Sequence, residues 1–393
     1  MEWLLGVIEF AVEWLGSRVA TAHRPPAINT STTPQEASPR WSGRLGLATS
    51  SSRESAMEAM ENSSNITPAQ GQTPTRKPHL LDCCLDLRLA LRKPPPLVRH
   101  VLPGLLAGTV GLLAAPGGKG KTMLLLQLAV AMATGRPICA GLFDNLPGVV
   151  SRVTEPSRVV LLLAEESPAI ATCRMHTIVS DLLQGAPDLF NAGDRDAFLD
   201  VLASNLILLP HADSGRPCLF QRNGTATALY RQLAEVSDGA ALVLADPLRQ
   251  LHSGDEVDSE YMTHVMSQLH KLVAGTQGAM LVAHHTSQAS SVAAYGDLAQ
   301  AARGSTAITD AVRCQINLST PAEKWLADKK LQVRDRDRVL RLDVAKANNL
   351  PPIPTQLLVR ERGGLLRLAR RGEFAPNGME ARSLVRTSGQ VPR

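Results

Sequence analysis

The chain has 393 residues, 44% of them hydrophobic, which is enough to bury a sizeable core and excludes disorder over most of its length. Its formal net charge of +5 suits an anionic partner but is too mild to demonstrate nucleic-acid binding. Six scattered cysteines without a C-x-x-C pair argue against a zinc site and a disulfide framework; reduced thiols in a cytoplasmic protein are expected.

The first twenty residues carry Glu2, Glu9 and Glu13 and no early Lys or Arg. They fail as a signal peptide, which needs a basic start and an uninterrupted apolar centre, and read instead as an amphipathic helix. From about Thr21 to Lys77 Ser, Thr, Pro and Ala dominate without periodicity. Residues 1–78 are therefore expected to be a disordered N-terminal extension, with a downstream start at Met57 or Met60 as an equal alternative. Leu80 to Arg92 has helical spacing, Pro94-Pro95-Pro96 breaks it, and the stretch to Gly104 enters the core. This arm is expected to cap the domain's hydrophobic edge, with packing on a neighbouring subunit as the alternative.

The decisive stretch is Ala115-Pro116-Gly117-Gly118-Lys119-Gly120-Lys121-Thr122, between an apolar strand from Thr109 to Ala115 and a helix from Met123 to Ala133. Glycines at 117, 118 and 120 allow backbone N–H groups to turn around a phosphate at a helix N-terminus. A loop of this kind binds ATP through residues 116–123, with Lys121 reaching the β and γ phosphates and the Thr122 hydroxyl ligating Mg²⁺. Ala115 stands where the usual pattern has its first Gly, which is tolerable if its φ stays below zero.

A second buried strand, Arg158 to Ala164, ends in Glu165-Glu166, where open α/β sheets build their ligand sites. Glu165 is the candidate base for the attacking water, with Glu166 facing solvent or beginning the next helix; the lesser alternative is that both are helix N-terminal acids before Pro168. Helices are expected from Pro168 to Leu183 and, shorter, from Ala197 to Leu202, followed by the strand Leu206–Leu209 and a helix from Thr225 to Val236. Ala240 to Asp246 is a short apolar strand ending in one acid, the Walker B pattern, which places Asp246 in the Mg²⁺ shell opposite Thr122. Asp255, Glu256 and Asp258 read as acids at the start of a helix from Ser259 to Ala274. The strand Ala279–Ala283 ends in His284-His285, and His285 is the candidate γ-phosphate sensor. Thr286 to Ala302 reads as a mobile loop. A helix to Val312, the strand Cys314–Leu318, a late strand from Arg338 bearing Lys346, and a closing hairpin turned at Gly363-Gly364 complete the domain, and residues 372–393 are expected to fray.

Leu-Ala-Ala-Pro-Gly-Gly-Lys-Gly-Lys-Thr, Leu-Leu-Ala-Glu-Glu, Leu-Ala-Asp-Pro-Leu, Gly-Asp-Glu-Val-Asp, Ala-His-His-Thr-Ser, Ala-Arg-Gly-Ser-Thr and Ala-Lys-Ala-Asn-Asn occur in this order between Leu97 and Arg370. In these motifs the chain resembles the plasmid-type replicative helicase RepA, a hexameric RecA/DnaB-like ATPase. The resemblance implies an α/β fold with a RecA-like P-loop core over 79–371, a mainly parallel sheet and an antiparallel C-terminal extension. It implies ATP held between subunits of a homohexamer. Lys121, Thr122, Glu165, Asp246 and His285 would act in cis, and Arg303 and Lys346 would reach the neighbour's γ-phosphate, with Arg313 a rival for the trans role. Single-stranded DNA, and through it a plasmid initiator and a primase, are the implied partners; no membrane is. Two departures bear on DNA: Gln288 replaces a Lys common in the family, and the loop from Thr286 to Ala302 contains no Lys or Arg. That weakens the electrostatic part of any DNA affinity, and 3% aromatic content argues against base stacking as the main binding mode.

Overall fold

The computed structural model describes residues 84–137, 139, 141–143, 155–185, 192–286 and 306–375. Along these the elements run α1 (Leu87–Arg92), β1 (His100–Leu102), β2 (Leu105–Leu106), β3 (Val110–Ala115), α2 (Lys121–Thr134), β4 (Val159–Leu163), α3 (Pro168–Gly185), α4 (Ala192–Asn205) and β5 (Leu206–Pro210). They continue with α5 (Ala228–Val236), β6 (Leu242–Asp246), α6 (Ser259–Val273), β7 (Ala279–His285), α7 (Thr306–Ala311), β8 (Cys314–Ser319), α8 (Glu323–Asp328), β9 (Val339–Ala347), β10 (Gln356–Arg360) and β11 (Leu366–Leu368). The expected N-terminal extension and the loop after Thr286, with Gln288 and Arg303, lie outside the described residues.

Nine of the strands form one sheet in the order β11-β10-β9-β8-β3-β7-β6-β4-β5. From β5 to β8 every pairing is parallel, and β9, β10 and β11 join antiparallel. This is an α/β P-loop NTPase fold. The central strands β3 and β4 are buried and free of polar side chains throughout, because both faces of the sheet are covered. On β3, Leu113 and Ala115 pack with α2 and with Ala171, Ile178, Phe198 and Leu202 of α3 and α4. Val110, Leu112 and Ala114, one residue out of phase, pack with Met262, Val265, Met266 and Leu269 of α6 and with Ile308 of α7. Leu113 is fully buried between these layers. Leu113→Ala is expected to cost roughly 2–5 kcal/mol of stability, read as a lower urea midpoint at unchanged slope.

Local sequence explains the helix ends. Gly135, at φ 66°, closes α2 in the left-handed conformation. Thr227 caps α5 through its hydroxyl to the Tyr230 amide, and Asp258 caps α6 by accepting from the Glu260 and Tyr261 amides, each at 3.0 Å.

Three expectations need correction, those for the arm, the short helix and the start of the C-terminal tail, and one unassigned segment gains a helix. As far as Val98 the arm does not cap the core: α1 buries no residue, and Leu85, Leu87, Leu89, Leu91, Leu97 and Val98 are all exposed, whereas the stretch to Gly104 enters the core as expected, with Val101 and Leu102 fully buried. On so short a helix the alternating leucines put Leu87 and Leu91 on one side and Leu89 nearly opposite, so they form no single apolar face to seat on the domain. The short helix expected over 197–202 is α4, which begins at Ala192, and Asp194 in its first turn favours that earlier start. The segment between β8 and β9, unassigned from sequence, contains α8, whose Trp325 ring lies 4.9 Å from the buried Arg341 guanidinium. Residues 372–375 are held in place: Glu373 pairs with Arg367 at 2.7 Å, and the Phe374 carbonyl accepts from the Gln332 amide.

Candidate nucleotide site

Sheet register assembles the site. β3 and β7 are parallel with Ala115 opposite His285, so the phosphate loop and the end of β7 leave the sheet side by side. β6 pairs with β4 with Asp246 opposite Leu163, and the Ala164 amide donates to the Asp246 carbonyl at 2.8 Å. Glu165 therefore emerges beside Asp246. The result is a cleft of about 450 Å³ lined by Gly117, Gly118, Gly120, Lys121, Thr122, Met123, Glu165, Asp246 and His285, together with Arg174, Arg360, Gly363 and Gly364.

Within the loop, Gly118 at φ +71° and Gly120 at φ +87° occupy the left-handed region that side chains resist. Ala115 is the last residue of β3 and is not among the positive-φ positions, so an Ala there strains nothing. Pro116 and Lys119 belong to the loop but do not line the cleft. Lys121 Nζ donates to the carbonyls of Ala115 at 3.0 Å and Pro116 at 3.1 Å, and lies 3.4 Å from His285 Nδ1. Burial lowers the Lys121 pKa, opposed by the nearby Asp246 and Glu165. His285 is also lowered, by burial and then by Lys121, which keeps the ring neutral near pH 7.

The Thr122 hydroxyl donates to Asp246 Oδ2 at 2.6 Å. Asp246 is buried, and burial raises its pKa against the Thr122 hydrogen bond and the Lys121 charge. A carboxylate so poorly compensated beside a hydroxyl is a donor pair that fits a small hard cation such as Mg²⁺. Glu165 Oε1 accepts from Gln250 Nε2 at 2.9 Å, which points its carboxylate along the cleft. Glu166 instead pairs with Arg174 at 3.0 Å. His284 and His285 diverge as neighbours on a strand must: His284 is fully buried, its Nδ1 3.9 Å from the buried Glu256 carboxylate. Glu256, expected as a helix-start acid, thus faces the interior, and His252 Nε2 lies 3.9 Å from the same carboxylate oxygen, Oε1.

Lys346 does not join this cleft. It pairs on β9 with Gln315 of β8, level with Leu112 of β3, three residues short of the loop and so about 10 Å down the sheet. Its Nζ donates to the Thr309 carbonyl at 2.8 Å. Burial lowers its pKa, and the neighbouring Arg313 lowers it further; Arg313 itself reaches the Asp310 carbonyl at 3.1 Å.

Sequence reading missed Gln250, Arg174 and Arg360. Gln250 follows Asp246 by four residues and Arg174 follows Glu166 by eight, on the helix that begins at Pro168, so local spacing held a signal for both. Arg360 carried none, because only the sheet brings it to the loop. The free cysteines among the described residues are Cys84, Cys139, Cys173, Cys218 and Cys314; burial pushes the Cys139 and Cys314 thiols up to about 12, so neither is a nucleophile. No helix among the described residues is long and apolar enough to cross a membrane. In comparison with known families, the chain matches the sequence model described as an AAA domain over residues 74–291, more than half of its length. The match ends before Arg303, Lys346 and the C-terminal hairpin.

Proposed function

Since the chain belongs to the AAA-domain family, whose P-loop enzymes hydrolyse ATP, we propose that it is a cytoplasmic ring-forming DNA motor of the RepA type. It would bind Mg²⁺ and ATP in the cleft and use hydrolysis to move along single-stranded DNA during plasmid or mobile-element replication. The observation that carries the reading is a division of labour. Lys121, Thr122, Glu165, Asp246 and His285 converge on one cleft, while Lys346 and Arg313 stand together farther down the sheet, out of reach of their own loop.

In this reading Lys121 leaves the Ala115 and Pro116 carbonyls to neutralise the β and γ phosphates. Thr122 and Asp246 would hold Mg²⁺, which would supply charge neutralisation to the phosphates. Glu165, aimed by Gln250, takes a proton from the attacking water. Neutral His285, 3.4 Å from Lys121, accepts or donates a hydrogen bond according to whether the γ-phosphate is present. A cation from the neighbouring subunit, Arg303 first and Lys346 beside it, completes the charge around the transition state, so hydrolysis waits on assembly. The exposed leucine arm from Leu85 to Val98 is a surface for that neighbour.

ATPase rate with and without single-stranded DNA, over a salt series, tests the motor. DNA is expected to stimulate turnover, and the stimulation to fade between about 50 and 200 mM salt as phosphate contacts weaken. A rate indifferent to DNA would replace the motor with an ATPase switch or recombination mediator on the same fold, the reading that the Lys- and Arg-free loop from Thr286 to Ala302 favours.

A further inference from the structure

The cleft has two flanks, and only one carries the chemistry already described. In sheet order, β7, β6 and β4 lie on one side of β3 and bring His285, Asp246 and Glu165. On the other side lie β8, β9 and β10. β10 runs antiparallel to β9, which runs antiparallel to β8, so β10 points the same way as β3 and ends level with the phosphate loop. Its last residue, Arg360, crosses to the loop and donates from its guanidinium to the Gly118 carbonyl at 2.9 Å. The same nitrogen lies 3.8 Å from where a Cβ on Gly120 would stand.

The turn after β10 is fastened there. Gln127 of α2 donates to the Leu366 carbonyl at 2.8 Å and accepts from the Leu366 amide at 3.0 Å, pairing a helix side chain with the hairpin backbone as a third strand would. Gly363 and Gly364 take φ +75° and +85°, and a Cβ on Gly364 would meet Met123 Cε at 3.7 Å. The hairpin turn therefore faces the first turn of α2, where amides of a phosphate loop cradle the α and β phosphates. Of the two arginines lining the cleft, Arg174 is already paired with Glu166. Arg360 has no carboxylate partner among the described residues; the adjacent Glu361 is taken by Arg338 and Arg367.

We propose that Arg360 binds the nucleotide of its own subunit, its guanidinium neutralising the α-phosphate end while the Arg362–Gly364 turn covers the nucleoside. The inference rests on the assignment of the cleft to ATP. With Glu165, Asp246 and His285 defining the γ-phosphate end, a cation on the opposite flank meets the other end of the polyphosphate. Arg360 then contacts what ATP and ADP share.

Calorimetric titration of Mg²⁺-ADP and Mg²⁺-ATP into the full chain tests this with Arg360→Gln, which keeps a donor for the Gly118 carbonyl and loses the charge, and Arg360→Lys, which keeps the charge. Arg360→Gln is expected to weaken ADP and ATP alike, by roughly tenfold, and to flatten the dependence of ADP affinity on salt; Arg360→Lys should retain most of both. Unchanged ADP affinity in Arg360→Gln would overturn the inference, leaving Arg360 as a brace on the loop. Loss of ATP affinity alone would also overturn it, by moving the contact to the γ-phosphate. Wild-type protein that bound neither nucleotide would instead remove the assignment of the cleft itself.

Discussion

Glu165→Gln is expected to lower ATP hydrolysis by about 10²–10⁴-fold, the usual worth of a general base, while ATP still binds. Glutamine keeps the volume at 165 and can still meet Gln250, now 2.9 Å from Glu165 Oε1, so the cleft keeps its shape. What it cannot do is accept a proton from water. Lys121, Thr122 and the loop amides, which carry affinity for the phosphates, are untouched. Single-turnover hydrolysis beside equilibrium binding of a fluorescent ATP analogue separates the two effects. Glu166→Gln supplies the contrast: its carboxylate is spent on Arg174, and turnover should stay near wild type. A large loss at Glu166 with turnover kept at Glu165 would exchange the two roles.

Arg303→Ala is expected to give the other large effect, a drop of about 10³–10⁵-fold on the scale of a trans-acting arginine. Added to wild-type protein, it should depress turnover more than in proportion to its share, because each variant subunit disables a neighbour's intact cleft. Arg313→Ala should fall well short of this. Arg313 is already engaged with the Asp310 carbonyl and crowds Lys346, so its removal relieves a like-charge contact as well as deleting a cation. Strictly proportional loss in the Arg303 mixtures would mean that the residue works within its own subunit, and a larger effect at Arg313 would transfer the trans role there.

The parts of this site that are local in the chain were legible. A strand, a glycine-rich turn and a helix in succession announce a phosphate loop because backbone geometry forces the arrangement. Asp246 and His285 were legible for a related reason: each ends an apolar run, and in a parallel sheet such ends converge. The sequence could not say that Glu256 turns inward to two histidines, since acids before a helix ordinarily serve its dipole. The arm from Leu85 to Val98 misled because leucine content is not burial. Arg360 was invisible because its meaning depends on the order β10-β9-β8-β3, a long-range fact without local spacing. The antiparallel closure of the sheet was expected, but not that its final turn would line the cleft.

The position of β3 has a consequence for the newborn protein. Its two sheet neighbours are β7 and β8, both translated long after it, and the hairpin that walls the cleft comes later still. A nascent chain on the ribosome therefore carries β3, ahead of the glycine-rich loop, as a very apolar strand without either sheet neighbour until Ala279–His285 has been made. Such a strand invites mispairing, and chaperone occupancy of the emerging chain should persist until Ala279–His285 has cleared the exit tunnel. A transcript truncated before Gln356 yields a polypeptide that has every motif by which the family is recognised and lacks one side of its nucleotide site.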